Sequence, residues 1–231
     1  MTNPLYYFYK LDNSHKKIIE GNFSFYRRLS KNDKKKFEYR VIRFIKAHNF
    51  IAREQVVITP IKRVVISSIA VMLTFRMSRY LYNQFDNIII YPKNYFSQLT
   101  KQHHKGETNP RARTIVFSWQ GVVDGVKIED DNLNLGIHEF THALYFSFVK
   151  STSYEAITFI KNFKNILEFL TDKAMRDKLI EADYFRAYAF ENQYEFLSVI
   201  TENYFETPNQ FRNKLPELFL KVNKLYAIYL S

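Results

Sequence analysis

Gly136-Ile137-His138-Glu139-Phe140-Thr141-His142-Ala143-Leu144 is the stretch whose reading decides both the fold and the chemistry of this chain. Its apolar residues, continued by Phe146, fit a helix that faces a core, and two histidines four residues apart stand inside that pattern. The i to i+4 spacing places both imidazoles on one face, one turn apart, where two ring nitrogens can bind one metal ion at about 2.0–2.1 Å. Glu139 follows the first histidine directly. It therefore projects beside such an ion instead of onto it, the position from which a carboxylate takes a proton from metal-activated water. Two histidines and a glutamate among core residues are costly to bury unless they are paired or hold a metal.

Outward from this segment, the spacing predicts a helix over residues 132–149 and further helices over 154–170, 192–206 and 215–229. Upstream, Phe37, Val41, Ile42, Phe44 and Ile45 recur at helical spacing after the capping candidates Ser30 and Asp33, which predicts a helix over residues 31–48. A short strand is expected at Val56 to Thr59. Pro60 then opens a second helix whose centre, Ile66 to Phe75, is apolar on nearly every side. Two β-like segments follow, Asn87 to Tyr91 before Pro92 and Arg113 to Trp119, separated by a polar loop over residues 101–112. Ile115 to Trp119 is expected as an edge strand able to pair with extended substrate. Strands in the first half and helices in the second imply an α+β class. Residues 31–231 are expected to form one domain, with residues 1–30 as an N-terminal extension.

Composition narrows the function. With no cysteine among 231 residues, a disulfide framework, a thiolate metal site and a cysteine nucleophile are all excluded. Any metal must be held by histidine and carboxylate. Met1 to Lys10 lacks the pattern of a secretion signal, and the longest apolar run, Val64 to Phe75, is too short to span a bilayer, so a cytoplasmic protein without membrane insertion is expected. The formal charge of +11 suits nucleic acid, membrane surface or acidic partners alike, but no nucleic-acid motif accompanies it. Nucleic acid is therefore not an expected partner.

A catalytic metal takes a third protein ligand. His15, His48, His103 and His104 offer no helical pairing with the motif, and Tyr145 and Phe148 rule out its three-histidine extension, so a carboxylate is expected. Glu195 and Glu202, seven residues apart in a predicted helix, share one face and are both candidates. Glu191 and Glu206 fall nearer the helix ends, where solvated carboxylates are ordinary.

These residues resemble the Mlc titration factor A family of zinc peptidases, gluzincins in which H-E-x-x-H and a glutamate from a later helix bind the metal. Ser118-Trp-Gln-Gly-Val-Val and Asp131-Asn-Leu-Asn-Leu-Gly-Ile-His-Glu-Phe-Thr-His142 resemble the family's Ser-Trp element and its Asn-Leu-x-x-His-Glu-Phe-x-His segment. Tyr194-Glu-Phe-Leu-Ser-Val-Ile-Thr-Glu-Asn-Tyr-Phe-Glu-Thr-Pro208 is similar to a second family block. The weaker similarities are Ile66 to Leu73 and Ile88 to Pro92. The resemblance covers roughly residues 35–225 and implies a zincin-like domain that hydrolyses peptides or proteins with Zn²⁺ held by His138, His142 and Glu195. It implies Glu139 as base, Tyr188, in Arg186-Ala-Tyr-Ala, as donor to the oxyanion, and Glu202 as the carboxylate that orients a ligand imidazole. A regulatory protein partner of the repressor type belongs to the same expectation. This chain departs from the family at Thr141 and at Ala143-Leu144-Tyr145, where an acidic residue commonly follows the motif.

Overall fold

Ser30 accepts a hydrogen bond from Asp33 N and starts the first long helix, which then buries Phe37, Val41 and Phe44 at intervals of four and three. In the computed structural model, residues 11–97 and 101–226 are described. In chain order the first elements are α1 (Asn13–Asn22), α2 (Ser24–Arg27), α3 (Lys31–Ala47), β1 (Asn49–Ala52), α4 (Pro60–Leu73), β2 (Asn87–Tyr91), β3 (Tyr95–Phe96) and β4 (His103–His104). There follow β5 (Gly106–Asn109), β6 (Thr114–Ser118), α5 (Trp119–Lys127), α6 (Leu135–Val149), α7 (Tyr154–Phe169), α8 (Lys173–Ala182), a 3₁₀ turn at Ala187–Phe190, α9 (Gln193–Glu206), α10 (Pro208–Lys214) and α11 (Pro216–Tyr226). This is the α+β class that the element pattern implies.

Four strands form one sheet in the order β1-β2-β6-β5, the first three parallel and β5 antiparallel to β6. Ile88, Ile90, Ile115 and Phe117 alternate onto a buried face of this sheet, as the strand period of two requires. Against it lies α6, which also packs on α4, α7 and α9. Gly136 permits the α4 approach: a β-carbon there would collide with Ile69 Cδ1, so the backbone of α6 sits directly on a side chain of α4. Thr59 caps α4 and Pro60 supplies its first turn, after which every residue from Val64 to Leu73 is buried. Leu11, Ile19, Phe23, Phe25 and Tyr26 join the same core, the last two with their rings against Phe37. Among the described residues, no helix is long and apolar enough to cross a membrane.

Four local expectations are corrected. The strand lies at Asn49–Ala52, not at Val56 to Thr59, because the chain must leave the sheet beside β2, turning through Glu54 and Gln55 with positive φ, to deliver Thr59 as the cap of α4. Within residues 101–112, Gly106–Asn109 is strand β5; its Gly-Glu-Thr-Asn sequence has weak strand preference, and pairing with β6 decides its state. The segment Ile115 to Trp119 is consequently not an edge: β6 is flanked by β2 and β5, and Trp119 already begins α5. The helix expected over 215–229 appears as α11 preceded by the separate α10, with residues 227–229 outside the described residues.

Candidate metal centre

The cap of α6 is Asn134, whose side chain accepts a hydrogen bond from Ile137 N at 3.0 Å and so fixes where the helix begins. One turn later come His138, Glu139 and His142. Asn192 caps α9 in the same way, accepting from Tyr194 N and Glu195 N, which places Glu195 in the first helical turn, where the helix dipole favours a carboxylate. With α6 against α9, the three side chains meet. His138, His142 and Glu195 each offer one ligand atom, and all three atoms lie within 4.8 Å of one another.

The finer geometry tests whether a cation fits. His138 Nε2 and His142 Nε2 are 3.1 Å apart, and Glu195 approaches them at 2.9 Å and 3.5 Å. Glu195 turns Oε2 towards His138 and Oε1 towards His142, and donors around a tetrahedral ion with bonds of about 2.0–2.1 Å are separated by about 3.3 Å, so all three spacings are of the size that one ion requires. Glu195 Oε2 is shielded from solvent and accepts no hydrogen bond of sound geometry, despite its closeness to His138. An orphaned carboxylate oxygen of this kind is costly unless a cation completes it. Charge tells the same story. Burial alone would lower the His138 pKa, but Glu195 and Glu202 outweigh it and push it up to about 10. Burial would raise Glu195, yet the two imidazoles hold it well below the usual carboxylate range. The point where the donors converge therefore demands positive charge, and these residues could hold a metal ion there.

Behind His138 stands a supporting chain of contacts. Glu202, almost wholly buried, accepts from His138 Nδ1 at 2.7 Å, which leaves Nε2 facing Glu195 and His142. Arg186 donates to both oxygens of Glu202 at 2.8 Å, and Asn134 N adds a third bond at 3.1 Å. Ser198 Oγ donates to the main-chain oxygen of His138 at 3.2 Å. Arg186 supplies the positive charge that faces the buried Glu202 side chain. Exchanging it for methionine keeps the aliphatic stem and removes that charge, so Arg186→Met will destabilise the fold by about 2–4 kcal/mol. Urea denaturation measures this, and an unchanged midpoint would show that Glu202 does not depend on the guanidinium.

Glu139 is buried beside the pair of histidines, and its carboxylate accepts from Thr108 Oγ1 on β5 at 2.8 Å. Burial raises its pKa, opposed by His138 and His142. Tyr188 lies on the 3₁₀ turn ahead of α9, its ring 5.9 Å from that of His138. Burial, then the neighbouring Glu195, raises its hydroxyl pKa, which keeps it a donor. A cleft of about 350 Å³ opens onto these groups, walled by His104, Lys105 and Gly106 on one side and by Arg186 and Tyr188 on another. A larger hollow of about 440 Å³ lies near the end of α6, between residues 78–84 and Leu144–Thr152, and contains none of them.

The structure thus brings together all six residues that the sequence singles out. Glu206 departs from expectation: it is half-buried, not solvated, bonded to Asn134 Nδ2 at 2.9 Å, and burial pushes its pKa up to about 8. Thr108, Arg186 and Ser198 carry no sequence signal, since each acts through a partner at least 16 positions away.

Comparison with known proteins agrees with this geometry. The uncharacterized protein slr2042 of Synechocystis sp. is similar to this chain, 23% identical over an alignment that covers 91% of this chain and 82% of that protein. The family described as glucose-regulated metallo-peptidase M90 matches residues 6–227, nearly the whole length, and its match coincides with the resemblance carried by the His138 to His142 and Tyr194 to Pro208 blocks. The chain belongs to the M90 family of glucose-regulated metallo-peptidases, the Mlc titration factor A family.

Proposed function

We propose that this protein is a zinc-dependent peptidase in which His138, His142 and Glu195 hold the metal, Glu139 is the base and Tyr188 stabilises the oxyanion. The observation that carries this reading is the convergence of two imidazole nitrogens 3.1 Å apart on the Glu195 carboxylate, whose Oε2 lies 2.9 Å from His138 and whose Oε1 lies 3.5 Å from His142, with a second buried carboxylate alongside. Two nitrogens and one oxygen, without thiolate, form a donor set suited to zinc that leaves a fourth position open.

When bound, zinc supplies Lewis acidity, polarising the scissile carbonyl and bringing the pKa of a water towards about 7. The protein's own groups do the rest. Glu139, kept out of bulk water, is a stronger base than an exposed glutamate; it takes the proton of the attacking water and passes it to the leaving amine. Tyr188 donates its O–H to the oxygen on which charge develops. Glu202, held by Arg186, keeps the His138 ring turned so that Nε2 is presented to the metal. Substrate enters the cleft beside β5, whose outer edge carries no strand among the described residues and offers backbone groups to an extended peptide. The family match supports peptide substrates. It gives no support to a regulatory partner, and none is proposed.

Metal removal tests the assignment. Purified protein will contain close to one zinc per chain; treatment with 1,10-phenanthroline will abolish cleavage of internally quenched peptides of randomised sequence, and added zinc will restore it. Cleavage that survives complete removal of metal would rule the proposal out.

A further inference from the structure

We infer that Thr108, on the edge strand β5, is a positioning residue that holds the Glu139 carboxylate in place through the catalytic cycle. This role rests on the assignment of Glu139 as base. Thr108 Oγ1 lies 2.8 Å from Glu139 Oε2 and 3.0 Å from the main-chain oxygen of the same residue. A hydroxyl has one hydrogen to give and two lone pairs with which to accept. Facing the carboxylate, Thr108 donates to Oε2. That bond, with the 3.0 Å approach to the main-chain oxygen, ties the side chain of residue 139 to a strand of the sheet.

The strand also supplies the space. Gly106 and Thr108 are two residues apart on β5 and so face the same side. A β-carbon at Gly106 would fall 2.7 Å from Glu139 Oε1 and 2.8 Å from Glu139 Cγ, so the missing side chain lets the carboxylate lie flat against the strand. The antiparallel register, Gly106 opposite Phe117 and Thr108 opposite Ile115, ties this strand to the sheet. One inward position makes room for Oε1, and the next binds Oε2. With Glu139 only 6% exposed, bulk water is a poor substitute for the hydroxyl. Misplacing a reacting group by about 1 Å costs roughly a hundredfold in rate, which sets the scale of the effect.

Thr108→Val is the direct test, because it is nearly isosteric and well suited to a strand. With internally quenched peptides of randomised sequence, kcat is expected to fall about 10- to 100-fold, while KM and zinc content stay unchanged. Thr108→Ser, which retains the hydroxyl, is expected to stay within about threefold of the parent kcat. In a Glu139→Gln background the valine is expected to cause no further loss, since its effect runs through Glu139. An unchanged kcat in Thr108→Val, a loss accompanied by zinc release, or a loss that persists undiminished in the Glu139→Gln background would each overturn the role. The base assignment is tested separately: a Glu139→Gln protein that retains activity overturns that assignment and the Thr108 role with it, whereas an inactive Glu139→Gln beside a fully active Thr108→Val overturns only the latter.

Discussion

Glu139→Gln is expected to lower kcat by about 10²–10⁴-fold while leaving close to one zinc per chain. The amide is nearly the same size as the carboxylate, so the packing around residue 139, including the flat approach to Gly106, is retained. Thr108 can still donate to the amide oxygen. What disappears is the capacity to take a proton from water, which is a contribution made in the transition state; kcat therefore falls and KM moves little. Because Glu139 contributes no atom to the His138, His142 and Glu195 cluster, the metal remains. Steady-state kinetics with quenched peptides, together with elemental analysis of the same preparation, decide the matter. Hydrolysis at the parent rate would remove Glu139 from the mechanism, and loss of zinc would make it a structural residue of the site.

The second large effect is on the metal itself. Glu195→Ala is expected to weaken zinc affinity by at least about a hundredfold, more than the loss of a supporting carboxylate behind a ligand, and to abolish peptide hydrolysis at limiting zinc. Removing Glu195 leaves two imidazoles and takes away the charge that makes the convergence point attract a cation. Asn192 continues to cap α9, so the helix keeps its start and the change is confined to the site. Competition against a chelating dye reads the affinity directly. An affinity equal to that of the parent would mean that another carboxylate completes the set. Glu202 is poorly placed for that part, because it is committed to His138 Nδ1, Arg186 and Asn134 N.

Much of the arrangement was legible because its causes are local. The spacing of His138 and His142 is a property of one helical turn, and the apolar repeat around them identifies that turn as core-facing. Ser30, Thr59 and Asn192 set helix starts through bonds to residues two or three positions on, and Pro60 does so through its fixed φ. Helices over 31–48, 154–170 and 192–206, and the strand at 87–91, therefore match the structure to within about two residues. Glu195 and Glu202 could be narrowed to one helix face, but spacing alone did not separate ligand from supporting carboxylate. The resemblance proposed Glu195, and the fold puts its oxygen 2.9 Å from His138 Nε2 while turning Glu202 to the other ring nitrogen.

Other features had no local cause to read. Strand β5 looks like loop in its own four residues and becomes strand only through its bonds to β6. Val56 to Thr59 has strand-like composition, yet the route from β2's neighbour to α4 claims it as a connection. Thr108 meets Glu139 from 31 positions away, and Arg186 meets Glu202 from 16. By itself, then, the sequence determined the α+β class, the helix bearing both histidines and the kind of donor a metal would find. Only the tertiary structure decided which strand borders the cleft, which carboxylate faces the histidines and which side chain bonds Glu139. Helix and strand periodicity express contacts a few residues apart, whereas a hydrogen bond between distant segments exists only after the sheet and helices have been packed together.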